Sequence, residues 1–294
     1  MRKILVTGGS GFLGSRICWY FKQKNYEIYA PSHKEMDITD REKVEKYFEE
    51  IQPEVVIHCA AISDTGYTEE HKEESFQINV IGTQNLAKVT GRMGIRFIFM
   101  SSDQIYNGKT IEGKEYDRRK DACKEEIDDQ PVNEYGRQKK EAEVRSLEAN
   151  PKTTALRLTW MYDLPREGMK TNRNLITNLI EADENNAVLI FARHEYRGIT
   201  NVWEVISNLE KVMEIPAGIY NYGSENELAT IEIARKAAHV LGLSEDVIEE
   251  DAERFVSHPR NLTVCNDKPR SVGIVFRSTF DGLHELGYNV KIDR

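Results

Sequence analysis

Cysteine is scarce in this 294-residue chain. Cys18, Cys59, Cys123 and Cys265 lie far apart and form no CxxC pair. That spacing argues against a disulfide framework or a zinc site and fits free thiols in a reducing compartment. Basic charge is in deficit: 40 Lys and Arg stand against 49 Asp and Glu, a net charge of −9. A general nucleic-acid binder, which needs a basic face, is therefore not expected, although a local site for an anionic small ligand stays open. No apolar run approaches the roughly 18 residues that span a bilayer. The short run after Arg2-Lys3 breaks at Thr7-Gly8-Gly9, unlike a signal peptide. The expectation is a soluble, cytoplasmic protein with neither a membrane nor a nucleic-acid partner. Internal repeats and low-complexity segments are missing too. His71, His194, His239, His258 and His284 show no metal-ligand spacing, so no metal site is expected.

What is there begins with Val6-Thr7-Gly8-Gly9-Ser10-Gly11-Phe12-Leu13-Gly14, between the apolar run Ile4-Leu5-Val6 and a helix-like segment over 15–24. A strand, a glycine turn and a helix in that order form a cradle for a nucleotide pyrophosphate. Glycine permits the tight turn and the close backbone approach, and the helix N-terminus offers unpaired N–H groups. Further strand patterns at 27–30, 55–57, 96–100 and 154–158 alternate with helical spacing over 40–51, 75–91 and 133–149. Repeated βα units predict an α/β fold with a doubly wound parallel (Rossmann) sheet. Past Leu158 the pattern loosens: helices are expected over 174–182, 202–213, 230–241 and 277–286, and strands over 188–191 and 218–221. The helix at 230 opens with Thr230 and Glu232 in an imperfect capping box. This half is expected to form a smaller α/β domain over the strand ends. Residues 103–131 are charged and turn-rich, and the middle of that stretch reads as a solvated excursion.

Two clusters turn a nucleotide fold into an enzyme. Ser101-Ser102-Asp103 follows the fourth strand, which puts hydroxyls at the carboxyl edge of the sheet. Tyr135 and Lys139 lie four apart on one helix face. A phenol is a serviceable acid at neutral pH, and a neighbouring ammonium is expected to lower its pKa. The lysine can also hold a nicotinamide ribose. A lone Tyr-x-x-x-Lys is more often an ordinary solvated face; its order after the glycine turn and the strand-end serines is what gives it weight.

The joint pattern resembles an extended short-chain dehydrogenase/reductase, and within that superfamily the dTDP-4-dehydrorhamnose reductase family. The resemblance covers nearly the whole chain. It implies that Gly8, Gly11, Phe12, Leu13 and Gly14 form the cofactor fingerprint and that Asp37 and Ile38 hold the adenine. It also implies that Cys59, Ala60, Ala61 and Asn79 border the cofactor, and that Ser102 is the catalytic hydroxyl with Tyr135 and Lys139. Asp103, Gln104, Trp160 and Arg260 are then expected to face a nucleotide-sugar substrate. The implied domains are 1–162 with about 197–213 for the dinucleotide, and about 163–196 with 214–294 for the substrate. A homodimer is admitted by analogy. The chain departs from the family at Gln104, where an aromatic is usual, and at Asp163, where glycine is usual. Glu195-Tyr196-Arg197-Gly198-Ile199-Thr200 also lacks the usual proline. All these departures fall on the substrate side.

The second strand ends Ile28-Tyr29-Ala30 and continues Pro31-Ser32-His33-Lys34, with no acid at the strand end to take a ribose 2′-hydroxyl. Ser32, His33 and Lys34 are expected to receive a 2′-phosphate instead, which favours NADP(H) with NAD(H) as the alternative. The expected activity is NADPH-dependent reduction of a nucleotide-linked 4-keto sugar. The alternatives are an NAD-recycling epimerase or dehydratase, and a non-catalytic nucleotide-binding subunit that regulates a partner enzyme.

Overall fold

The computed structural model describes residues 1–111, 116–128, 130–166 and 168–292. In chain order the first half runs β1 (Lys3–Thr7), α1 (Phe12–Gln23), β2 (Glu27–Tyr29), α2 (Arg41–Ile51), β3 (Val55–His58), α3 (Thr65–Glu70), α4 (Lys72–Phe76), a π-helical turn (Gln77–Gly82), α5 (Thr83–Met93), β4 (Arg96–Ser102), a tight helical turn (Asp103–Tyr106), α6 (Arg118–Asp121), α7 (Glu134–Ala149) and β5 (Thr153–Leu158). The second half runs β6 (Trp160–Tyr162), α8 (Leu175–Asn185), β7 (Leu189–Ala192), β8 (Glu195–Arg197), β9 (Ile199–Asn201), α9 (Val202–Ser207), α10 (Leu209–Val212), β10 (Gly218–Tyr222), α11 (Thr230–Leu241), β11 (Ile248–Asp251), β12 (Arg260–Leu262), α12 (Asp267–Ser271) and α13 (Thr279–Ile292).

Six strands form one parallel sheet in the order β10-β5-β4-β3-β1-β2. The strand order reverses at β1, which pairs with β2 on one side and β3 on the other. Ligands of such sheets bind in the crevice outside the carboxyl ends at that reversal. The β-branched and apolar runs suit strands covered on both faces, and β3 and β5 are buried throughout. Alternation along β1 sends Ile4 and Val6 to a core shared with α1 and α9, and Leu5 to a core shared with α2 and α5. A separate apolar cluster joins Leu175, Ile176 and Leu179 of α8 to Ile233, Ala234 and Ala237 of α11 and Leu283 of α13. Around it lie three two-stranded parallel pieces, β7 with β11, β8 with β12 and β6 with β9.

Several expectations need correction. The helix read over 75–91 is interrupted by the π turn, through which the apolar spacing runs unbroken; the wider turn aims Asn79 inward, onto the backbone of Ile62. The helix read over 202–213 breaks at Asn208, whose side-chain amide leaves to bind the carbonyls of Glu204 and Val275. At α11 the N-cap is Ala229, one residue before Thr230. Glu232 therefore does sit at the third helical position, and it accepts the Ala229 N–H at 2.7 Å. The stretch 103–131 is not simply solvated. Arg118, Arg119 and Lys120 are exposed, but Asp121, Ala122, Cys123 and Glu125 are buried. They are held by backbone pairing of Cys123 with Val264 and by a bond from the Asn221 N–H to Glu125. Gly113 lies outside the described residues. Among those described, no helix is long and apolar enough to cross a membrane.

One buried ion pair ties α7 to the sheet. Arg157 on β5 meets Glu143 on α7 through Nε–Oε1 at 3.1 Å and an Nη–Oε2 contact at 2.8 Å, and Ser101 Oγ donates to the same carboxylate at 2.6 Å. Replacing Glu143 by Gln strands the guanidinium without its countercharge. We expect a loss of roughly 3–5 kcal/mol, read as a lower urea midpoint. An unchanged midpoint would show that the pair does not hold the helix in place.

Candidate active site

The glycine turn is built by close approach. Gly8 has φ +67°, and a Cβ there would lie 2.8 Å from the Ala60 nitrogen; at Gly14 a Cβ would lie 2.2 Å from the Gly8 carbonyl oxygen. The turn closes with the Gly11 N–H on the Gly8 carbonyl at 2.9 Å. Gly11 is the N-cap of α1, so no side chain caps that helix, and its first turn carries no acid. The first N–H groups of α1 therefore lack a side-chain partner and face a positively polarised end. A Cβ-free cradle beneath uncapped N–H groups fits a dinucleotide pyrophosphate. Phe12 is half-buried at its rim, while the Leu13 side chain packs into the core, which leaves Leu13 only its backbone for a ligand.

The remaining cofactor candidates divide. Ala60 and Ala61 stay partly open beside the turn, and the Ala60 N–H rests on Thr7 Oγ1. Cys59 is half-buried, and burial pushes its thiol up. Asn79 is buried and its amide is fully engaged: it accepts the Ile62 N–H and donates to the Ile62 carbonyl and to Gln138. It braces the cleft wall from behind. His58 is clamped between Thr7 and Thr83, at 2.6 and 2.9 Å, and burial lowers its pKa to about 3, so it stays neutral. Asp37 accepts from Thr39, and Ile38 is buried against Gly82. In the loop after β2, His33 leans on Asp37 at 3.7 Å and Lys34 is exposed. Ser32 gives both its N–H and its hydroxyl to Glu35.

Ser102, Asp103, Gln104, Tyr135, Trp160 and Arg260 come together, as their sequence positions predict. They line a cleft of about 940 Å³ together with Phe12, Asp64, Asn172, Arg173 and Asn178. Ser102 and Asp103 emerge from β4. Tyr135 is brought to them by α7, which starts at Asn133, whose side chain accepts the Gly136 N–H at 2.7 Å. Lys139 lies just behind, buried, with Nζ donating to the Met100 carbonyl at 2.8 Å and 5.6 Å from the Tyr135 ring centre. Burial lowers its pKa to about 8, against the opposing pull of Cys59 and Glu143. The expected lowering of the Tyr135 pKa is reversed. Burial, and then the Asp103 carboxylate, push the phenol up, and a hydrogen bond with Ser102 only partly offsets them. Tyr135 is thus held in its protonated form. Asp103 is buried and its pKa is raised by that burial, although Arg197 at 3.3 Å and Arg260 pull the other way.

Some participants were missed by sequence reasoning. Arg197 sits over Trp160, 4.8 Å from the ring centre, while it pairs with Asp103; its only signal was the altered segment after β7. Glu143 continues the stripe of Tyr135 and Lys139 by another four residues, a spacing that could have exposed it. Gln104 accepts from Asn133 at 3.0 Å and from Arg260 at 3.4 Å, linking the start of α7 to β12. Among the described residues no cluster of His, Cys, Asp and Glu is arranged to hold a metal.

A family model described as RmlD substrate binding domain matches residues 1–266. The spore coat polysaccharide biosynthesis protein SpsK of Bacillus subtilis (strain 168) is 25% identical over 255 residues, 87% of this chain and 85% of that protein. Methionine adenosyltransferase 2 subunit beta of Bos taurus is 25% identical over 308 residues, 100% of this chain and 89% of that one. The crystal structure of a dTDP-4-dehydrorhamnose reductase from Bacillus anthracis str. Ames in complex with NADP superposes with a TM-score of 0.82 at 22% identity, covering 98% of this chain and 99% of that one. At that identity the likeness shows the fold.

Gly136 tests how tightly the site is assembled. A Cβ at this position would lie 2.3 Å from the Gln104 carbonyl oxygen, so Gly136→Ala must push α7 away from the end of β4. We expect a loss of roughly 1–3 kcal/mol, measured by thermal unfolding. A variant as stable as the parent would mean that the helix is free to shift.

Proposed function

Since the chain belongs to the RmlD substrate binding domain family, among the extended short-chain dehydrogenases/reductases, we propose that it is a nicotinamide-dependent oxidoreductase that reduces a nucleotide-linked 4-keto sugar. The observation that carries this reading is the meeting of Ser102 and Tyr135 on the floor of one cleft, with Lys139 directly behind and the uncapped α1 turn beside it. A bound NADPH or NADH supplies the hydride. The Ser102 hydroxyl donates to the substrate carbonyl oxygen and polarises it. Tyr135 gives its phenolic proton to the same oxygen as the carbonyl carbon is reduced, so the product is an alcohol. Lys139 keeps at least one donor on Met100 and turns the others toward the cofactor ribose and the phenolate left behind. Gln104, Trp160, Arg260 and the Asp103–Arg197 pair shape the sugar side. The NADP complex of the Bacillus anthracis relative supports the phosphate-bearing cofactor; the occupied Ser32 donors favour the other form. We divide the chain into a dinucleotide part, 1–162 with about 197–213, and a substrate part from the remaining residues, except that β10 (Gly218–Tyr222) goes with the dinucleotide part, whose sheet it edges.

A second reading draws on the Bos taurus relative, whose name makes it a subunit of another enzyme and which matches this chain throughout its length. On this reading the chain binds a nucleotide and regulates a partner enzyme. Retention of Ser102, Tyr135 and Lys139 favours the catalytic reading.

Two outcomes are expected. The purified chain oxidises NADPH or NADH in the presence of a nucleotide 4-keto sugar, and Tyr135→Phe lowers kcat by roughly 100-fold or more while binding of the dinucleotide persists. Absence of turnover across a panel of 4-keto sugar nucleotides would reject the activity. Lys139 carries its charge below pH about 8 and loses it above, so kcat/KM should hold at neutral pH and fall as pH rises past about 8. A profile flat to pH 10 would show that the Lys139 charge is not used.

A further inference from the structure

The acid that β2 lacks at its end is supplied six residues later, by Glu35. After Ala30 and Pro31 the chain turns back on itself: the Glu35 and Met36 N–H groups bond the Ser32 carbonyl at 3.1 and 3.0 Å. This turn returns the Glu35 side chain to Ser32, where Oε2 accepts both the Ser32 N–H and the Ser32 hydroxyl, each at 2.7 Å. Glu35 lies 21 positions beyond Gly14, and the residue that meets the adenosine ribose follows the glycine motif by about 20 positions in this fold. Resting on the reductase reading and its dinucleotide site, we propose that Glu35 selects the cofactor by its 2′ substituent: its carboxylate accepts the free 2′-hydroxyl of NAD(H) and excludes the 2′-phosphate of NADP(H).

The chemistry is one of occupancy and sign. A 2′-phosphate needs N–H and O–H donors and a positive surround. In this loop the best-placed pair of donors already serves a carboxylate, and the phosphate would bring like charge against it. A 2′-hydroxyl has no such conflict, because it donates to the carboxylate. The Ser32 hydroxyl and backbone bonds hold the Glu35 carboxyl below its usual range, so it is ionised at neutral pH. The two groups that favour a phosphate are weakly placed. His33 leans on Asp37, a second carboxylate, and Lys34 is exposed immediately beside Glu35. The fold explains why the sequence suggests the opposite preference. Read linearly, Ser32-His33-Lys34 is a polar and basic triplet, and only the turn shows that Glu35 sits on its first member.

The test is calorimetric titration of the full chain with NAD+, NADP+, ADP and 2′,5′-ADP, for the parent and for Glu35→Gln. The parent should bind NAD+ at least about tenfold more tightly than NADP+. In Glu35→Gln that ratio should fall to near one or invert. The ratio of ADP to 2′,5′-ADP should move in the same direction, which locates the effect at the adenosine end. Glu35 is exposed, so the variant should unfold at the parent midpoint, and measuring that midpoint separates selection from damage. A parent that binds NADP+ as well as NAD+, or a ratio that Glu35→Gln leaves unchanged, overturns the role of Glu35 and leaves the reductase reading standing. Binding of neither dinucleotide to the parent overturns both.

Discussion

The approach of α7 to the end of β4 is the constraint on which the site depends. The helix lies so close that position 136 has no room for a Cβ against the Gln104 carbonyl, and Lys139 reaches the Met100 carbonyl at 2.8 Å. Given that distance, Tyr135 on the preceding turn must face Ser102 at the strand end. Glu143, one turn further along, must then enter the sheet, where Arg157 neutralises it. The stripe of Tyr135, Lys139 and Glu143, spaced four apart, thus sets a protonated phenol, a buried ammonium and an anchoring carboxylate along one helix face.

Burial decides how those groups behave. Interiors penalise the charged form of any ionisable group, so the phenol is driven up and the ammonium down, away from each other. The outcome differs from what two side chains four residues apart suggest in isolation. Lys139 does not simply acidify Tyr135. Burial leaves the phenol protonated and brings the lysine to about 8. A proton donor beside a group able to exchange protons near neutrality is a sound arrangement for reducing a carbonyl, and both result from being enclosed rather than from a single partner.

Local chemistry made much of this legible in the sequence. Gly8, Gly11 and Gly14 directly after the apolar run Ile4-Leu5-Val6 point to a phosphate turn, and the alternation of strand and helix periods gives the parallel sheet. Tyr135 and Lys139 stood out by helix spacing after strand-end serines, and the family resemblance singled out Ser102 among those serines. What stayed hidden depends on long-range return of the chain. Arg197 meets Asp103 across 94 positions, and Arg260 meets Gln104 across 156. The π turn at Gln77–Gly82 preserves the apolar pattern while it redirects Asn79, so periodicity cannot reveal it. Cys123 and Glu125 were hidden in a charged stretch because their burial comes from segments around Asn221 and Val264 that lie far along the chain.

The glycine turn and the substrate wall are also mechanically joined. Arg16, one turn into α1, is fully buried. Its Nε meets Asp163 at 2.8 Å, and one Nη holds both the Phe12 and the Lys170 carbonyls at 2.9 Å. Asp163 in turn accepts from Trp203 at 3.2 Å. The residue that replaces a usual glycine after β6 is therefore the countercharge for a cation on the phosphate-binding helix. Through Arg16 the segment carrying Asn172 and Arg173 is fixed to the same helix that follows the glycine turn. A buried arginine and aspartate are tolerated only together, so Arg16 and Asp163 act as one unit. That unit makes the spacing between the glycine turn and the cleft residues Asn172 and Arg173 a property of a single helix rather than of two independently moving parts.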